Sequence, residues 1–185
     1  MWRIRTNEGK ETLVIADAKD WLAEYYDIGR QDVDNILKDE KATSYLLVWS
    51  IFEQDIFKGF MKACDIITVS KTFERWYSDL DVDDIAKSFH SRYQNNDNYR
   101  HLFHDADNGN FKEIINKSFT DLSGDEKLIM LFFVSYRYRN NIFHGNKKVL
   151  AWTRYTKQIE DCLYFMTNII DLNKKENIIG NRLGC

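Results

Sequence analysis

Seven consecutive apolar residues, Leu128 to Val134 (LIMLFFV), constrain this chain more than any other stretch. The run is far too short to cross a bilayer, which takes about 20 residues. Read as helix, it is apolar on every side, so other elements must enclose it. Ser123 stands before it as an N-cap, and Glu126 follows three residues on, the spacing of a capping box. The sequence therefore predicts a central buried helix from Ser123 to about Asn141.

The elements that enclose it are predicted to be helices as well. The 185 residues include no proline and only eight glycines. Sheets need frequent turn residues and long helices need few, so the expected fold class is all-α, a helical bundle. Helical patterns run from Asp17 to about Asp27, briefly within QDVDNILKDE, from Ala42 to Cys64, and around Ile66–Tyr77 and Val82–Tyr93. A last amphipathic helix is predicted from Lys148 to Leu172, with Trp152, Tyr155, Ile159, Cys162, Leu163, Met166 and Ile170 on its apolar face. The alternation in the first fifteen residues, broken by NEGK, fits a short hairpin. Residues 94–122 are rich in Asn, Asp and Gly and read as a loop-rich insertion. No repeat or linker divides the chain, and its length suits one domain over 1–185, or one domain with an added arm.

Three cysteines without paired spacing fit a reducing compartment. The N-terminal MWRIRTNEGKE lacks the apolar core of a secretory signal. The expected location is cytoplasmic, with no membrane partner.

The formal net charge of −3 is unevenly spread. From Lys127 to Lys157 there is no acidic residue and there are seven basic ones: Lys127, Arg137, Arg139, Lys147, Lys148, Arg154 and Lys157. That segment carries +7 and leaves −10 for the rest. A polyanionic partner at one face explains the asymmetry, and so does a merely solvated basic face.

Within this segment the central helix ends in RNNIFHG, Arg139 to Gly145. Arg139 falls on the same stripe as Leu128 and Phe132, and a buried guanidinium needs a carboxylate, a polar cavity or an interface. His144 follows within a turn, and Gly145 suits the left-handed residue that closes a helix. The plain alternative is an arginine favoured by the helix dipole beside an incidental histidine. Glu53 bears on the choice, because it lies within about 40° of the centre of the apolar face of its helix, between Trp49 and Phe57. Acids are rarely buried without a partner, so Glu53 and Arg139 are expected to pair.

Arg139-Asn140-Asn141-Ile142-Phe143-His144 resembles the R-N-x-x-x-H signature of the HEPN superfamily, small all-α domains common in prokaryotic toxin–antitoxin and phage-defence systems. An apolar helix ending in the motif, a following glycine, a long amphipathic helix next, and an earlier helix with an inward acid (LLVWSIFEQDIF) extend the resemblance over about 42–64 and 124–172. The N-terminal arm and residues 94–122 are not explained by it. The resemblance implies a metal-independent endoribonuclease, usually completed across a homodimer interface, with RNA as substrate and an antitoxin or sensor protein as a possible partner. Arg139, His144, Asn140 and Glu53 would form the catalytic set, and Arg137, Lys147, Lys148 and Arg154 the RNA-binding set. No cofactor or metal is implied. The alternative is a non-catalytic HEPN-like module that binds RNA or protein. The H-x-Y variant of the motif is absent, since Gly145 and Asn146 follow His144.

The residue types suit RNA cleavage. RNA brings its own nucleophile, the 2′-hydroxyl. Histidine titrates near neutrality and serves as base or acid. Arginine offers a permanent bidentate charge to phosphate oxygens. Two other motifs are weaker. His90, His101, His104 and Asp105 suggest an HD-type metal site, but their spacing is short for one. DADNGN from Asp105 misplaces the glycine of a calcium loop.

Overall fold

Strand β1 (Trp2–Asn7) pairs antiparallel with β2 (Lys10–Ile15), from Trp2 opposite Ile15 to Asn7 opposite Lys10. This is the hairpin expected around NEGK. Helices α1 (Ala18–Tyr26) and α2 (Arg30–Leu37) follow. Asp17 caps α1 by accepting the Lys19 N–H at 2.9 Å, and its other oxygen takes Arg30 at 2.6 Å. Lys19 pairs with Asp34 at 2.6 Å, so ion pairs tie α1 to α2. These elements belong to one compact unit, Met1–Glu40, and the rest of the chain to a second, Lys41–Cys185. The computed structural model describes residues 2–7, 10–15, 17–38, 40–104, 106, 108–143 and 155–180.

The second unit is all-α. It holds α3 (Glu40–Phe57), α4 (Asp65–Phe73), a 3-10 segment (Glu74–Leu80), α5 (Asp83–Tyr93), α6 (Asn96–Phe103), α7 (Gly109–Asn116), a short 3-10 turn (Phe119–Asp121), α8 (Gly124–Phe143) and α9 (Thr156–Glu176). Helix α8 is the central buried helix that the apolar run demands. It packs against α4, α5, α6, α7 and α9, and every residue from Leu128 to Val134 is at most 7% exposed. Successive residues of a helix point about 100° apart, so its neighbours differ by side. Phe132 meets Phe52 of α3 at 5.6 Å and Phe165 of α9 at 5.0 Å between ring centroids, whereas Phe133 meets Phe111 of α7 at 6.3 Å. The start of α8 carries the Glu126 half of the expected capping box, with Oε2 accepting the Ser123 N–H at 3.1 Å, while the Ser123 hydroxyl donates to the same oxygen at 3.2 Å.

Four boundaries differ from expectation. Residues 94–122 are not loop-rich, because they contain α6 and α7. Asn95 and Asn108, which read as loop punctuation, are N-caps that accept the N–H groups of Asn98 and Phe111 at 3.1 and 3.0 Å. Helix α3 stops at Phe57 instead of reaching Cys64. Lys58 (φ 55°) turns left-handed there, and Gly59 (φ 135°) adopts a backbone that a side chain would strain. The stretch Ile66–Tyr77 is helical only to Phe73 and then tightens to 3-10. Helix α9 continues past Leu172 to Glu176, buries Ile159, Cys162, Met166 and Ile170, and leaves Tyr155 and Leu163 half-buried. Residues 148–154 of that prediction lie outside the described residues.

Candidate functional site

The last turns of α8 carry Arg137, Arg139, Asn140 and Asn141, and three of these meet other elements. Arg139 is half-buried. Its Nη1 donates to Asn140 Oδ1 at 3.1 Å, and its Cζ lies 6.0 Å from the ring centroid of Trp49 on α3. A guanidinium over an indole gains cation–π attraction. Just before it, the buried Tyr45 hydroxyl donates to the Ser135 carbonyl at 2.7 Å. Burial raises that phenol well above its ordinary range, so it stays a donor. The end of α8 is thus held on the α3 face formed by Tyr45 and Trp49.

Glu53 departs from expectation. Its Oε1 accepts the Met61 N–H at 3.2 Å, and its backbone carbonyl accepts the Gly59 N–H at 3.1 Å. It closes the chain reversal after α3. Among the ion pairs of the described residues, none joins Glu53 to Arg139. The physical reason is the early end of α3, because the left-handed turn at Lys58 and Gly59 folds the chain back and brings the Met61 N–H, outside the helix, to the carboxylate.

Arg137, expected at an RNA surface, is turned inward. Its Nε donates to the Leu102 carbonyl at 3.0 Å, and its Cζ lies 5.4 Å from the Phe103 ring. It therefore caps the C-terminal end of α6, where the dipole favours a cation. Partial burial lowers its pKa, without removing its charge. Lys127 is engaged similarly, at 2.8 Å from Asp83 and 4.4 Å from the Phe119 ring, and Lys157 binds Asp161. Much of the +7 segment is thus internally committed. His144, Lys147, Lys148 and Arg154, the remainder of the expected set, lie outside the described residues.

A residue that sequence reasoning passed over completes this helix end. Asn141 is 3% exposed, and its Nδ2 donates to the Leu102 carbonyl at 3.4 Å. Its Oδ1 lies 2.5 Å from Nε2 of His104, an exposed residue in the left-handed position that ends α6. The doubled Asn in RNNIFHG was the available signal, since a second amide one turn before a histidine needs partners of its own.

His90 and His101 do not assemble with it. His90 is buried, with Nε2 3.1 Å from the Lys117 carbonyl and its ring edge on Phe119. His101 is exposed on α6, and Asp105 lies outside the described residues. Among the described residues, no group of three or more His, Cys, Asp or Glu side chains is arranged to hold a metal ion. Nor is any helix among them long and apolar enough to cross a membrane. No family model, no curated protein and no solved structure matches this chain.

Proposed function

We propose that this protein is a metal-independent endoribonuclease of the HEPN type. The observation that carries the reading is the Arg139–Asn140 pair at the end of a fully enclosed helix, seated on Trp49 and leading directly into His144. An arginine fixed by an aromatic face and a neighbouring amide is pre-oriented for a phosphate, with little rotamer freedom left to lose on binding. Arg139 would neutralise the developing charge on the phosphorane. His144 would carry a proton to or from the reacting oxygens, and Asn140 would keep the guanidinium in plane. Lys147, Lys148 and Arg154 would steer the RNA backbone. A homodimer and an antitoxin or sensor partner, in a toxin–antitoxin or phage-defence setting, are the assembly and context that the resemblance implies.

The test is cleavage of single-stranded RNA by the wild type beside Arg139→Ala and His144→Ala. Activity should survive excess EDTA and leave 2′,3′-cyclic phosphate and 5′-hydroxyl ends. DNA, lacking the nucleophile, should be inert. Each variant should lose a factor of about a hundred or more. Cleavage that stops in EDTA or leaves 5′-phosphates would overturn the reading. A protein that binds RNA without cutting it would be the non-catalytic module.

A further inference from the structure

Arg92 stands half-buried in the last turn of α5, a setting in which an arginine normally has a carboxylate beside it. Its neighbours three and four positions back on the helix are Phe89 and Ser88, neither of them acidic. Among the ion pairs of the described residues, none includes Arg92. Its Nε is sealed from solvent without an acceptor, and its Cζ lies 6.0 Å from the ring centroid of Tyr93. The Tyr93 hydroxyl is in turn 3.4 Å from that of Tyr138 on α8. Burial pushes both phenols up, against the pull of the Arg92 charge. Both stay neutral and give the guanidinium no counter-charge. The dipole at the end of α5 and the ring beneath the cation are weak substitutes for a carboxylate. The fork itself is open. Among the described residues nothing accepts from Nη1 or Nη2, and neither is sealed from solvent as Nε is. A cation held part-way out of water, with a free pair of donors and no acid beside it, is arranged for an anion that arrives from outside.

We propose that Arg92 binds a phosphate of a single-stranded RNA, at a position along the strand separate from the one that Arg139 would hold. The inference rests on RNA as the ligand of the proposed function, and not on its cleavage. The contacts through Tyr93 and Tyr138 place Arg92 at the end of α8 that carries the motif, because Arg139 is the residue after Tyr138. Successive side chains leave a helix about 100° apart, and these two meet different helices, α5 and α3. The two guanidinium groups therefore do not share one phosphate. A helix with its side chains is about 10 Å across, and single-strand sites run over about 4 to 16 nucleotides, so one strand can pass both. Arginine suits the task better than lysine, because its fork matches two phosphate oxygens while its flat face lies over Tyr93. A local carboxylate would compete for the fork and cancel the charge that the RNA meets. The contact gives affinity and register without base specificity, since every nucleotide carries the same phosphate.

The experiment uses the full chain and a fluorescent single-stranded RNA with 2′-O-methyl groups, which binds without being cut. Affinity is measured from about 50 to 200 mM salt for the wild type, Arg92→Met and Arg92→Lys. Arg92→Met keeps an unbranched apolar stem over Tyr93 and loses the charge. It should bind about tenfold more weakly, and its slope of log affinity against log salt should fall by about 0.7, the increment for one phosphate of a single strand. Arg92→Lys should keep the slope and lose part of the affinity, because a point charge replaces the fork. Single-stranded DNA should lose the same increment in Arg92→Met, since its phosphates are the same. No acid is left unpaired by the change, so Arg92→Met should melt within about 2 °C of the wild type. Binding by Arg92→Met with the wild-type affinity and slope would overturn the proposal and leave Arg92 a cation over a ring. If that variant does not fold, modification of wild-type arginines by phenylglyoxal, located by peptide mass analysis, decides. RNA should protect Arg92, and no protection would overturn the proposal. Protection by millimolar inorganic phosphate and not by RNA would assign the fork to free phosphate and overturn it as well. A wild type that binds no RNA would overturn the proposed function and this inference together. A wild type that binds RNA without cutting it would overturn the endoribonuclease reading alone, with the slope still deciding for Arg92. Active wild type with an unchanged slope in Arg92→Met would overturn this inference alone.

Discussion

The guanidinium of Arg139 lies over the ring of Trp49, with Cζ 6.0 Å from the centroid, while Glu53, one turn further along the same helix, accepts the N–H of Met61. The motif's arginine is therefore anchored by an aromatic face and not by the acid that its sequence position invites. Trp49→Phe should retain RNA cleavage, because it keeps a ring face beneath the cation. Trp49→Leu should lower it, through the loss of a cation–π contact of about 1 kcal/mol and of the ring's hold on the arginine's orientation. Glu53→Gln should cleave RNA close to the wild-type rate, since an amide oxygen still accepts from Met61. A hundredfold loss in Glu53→Gln, of the size expected for a disrupted site, would restore the acid as the partner of Arg139. Rates and melting curves measured on the same preparations check all three.

The start of the central helix should be acid-sensitive. Burial works to raise the pKa of Glu126, but Lys117 at 2.5 Å and the N–H and hydroxyl of Ser123 outweigh it and hold the carboxyl below its usual range. A carboxylate whose folded pKa is depressed stabilises the fold above its unfolded value, near 4.5, and loses that contribution as pH falls through the folded value. The melting temperature should therefore drop below about pH 4.5, with part of the drop due to this group. Glu126→Gln should melt lower at pH 7, by roughly 1 kcal/mol for a weakened cap, and should show a shallower acid dependence. An unchanged acid profile would remove Glu126 from the account.

Charge on this protein should divide into internal and external kinds. Arg137→Ala should lower stability by about 1–2 kcal/mol, because the Leu102 carbonyl loses a charged donor, and should leave the salt dependence of RNA binding unchanged. Lys147→Ala and Lys148→Ala should do the reverse, each reducing the slope of log affinity against log salt by about 1 with little effect on melting. Titrations at several salt concentrations separate the two. A reduced slope for Arg137→Ala would return it to the RNA surface.

The described cysteines should differ in reactivity. Burial raises the pKa of Cys162 to about 12, whereas Cys64 is exposed. Alkylation of the native protein at pH 8, followed by peptide mass analysis, should label Cys64 and spare Cys162 until the protein unfolds. Fast native labelling of Cys162 would mean that α9 opens readily.

Much of this fold is legible in the sequence because it follows from local periodicity. Seven apolar residues in a helix leave no solvent face, so the enclosure of Leu128 to Val134 was determined before any neighbour was known. The absence of proline, the capping pair Ser123 and Glu126, and the alternating N-terminus fixed the helices and the hairpin in the same way. Where a polar residue looks two ways, local pattern does not decide. Asn95 and Asn108 read as loop, yet they cap helices, because a cap and a turn use the same side-chain acceptor. Partners were decided only by tertiary structure. Helical position puts Glu53 near an apolar face, but the left-handed turn at Lys58 and Gly59 brings the Met61 N–H to it first. Arg137 counted as surface charge until the end of α6 arrived beneath it, and His104, thirty-seven positions from Asn141 in sequence, became its neighbour by the same packing. A charge or a hydrogen-bonding group is a property of one residue, whereas its satisfaction is a property of two, and only the packing of α3, α6 and α8 chose the second.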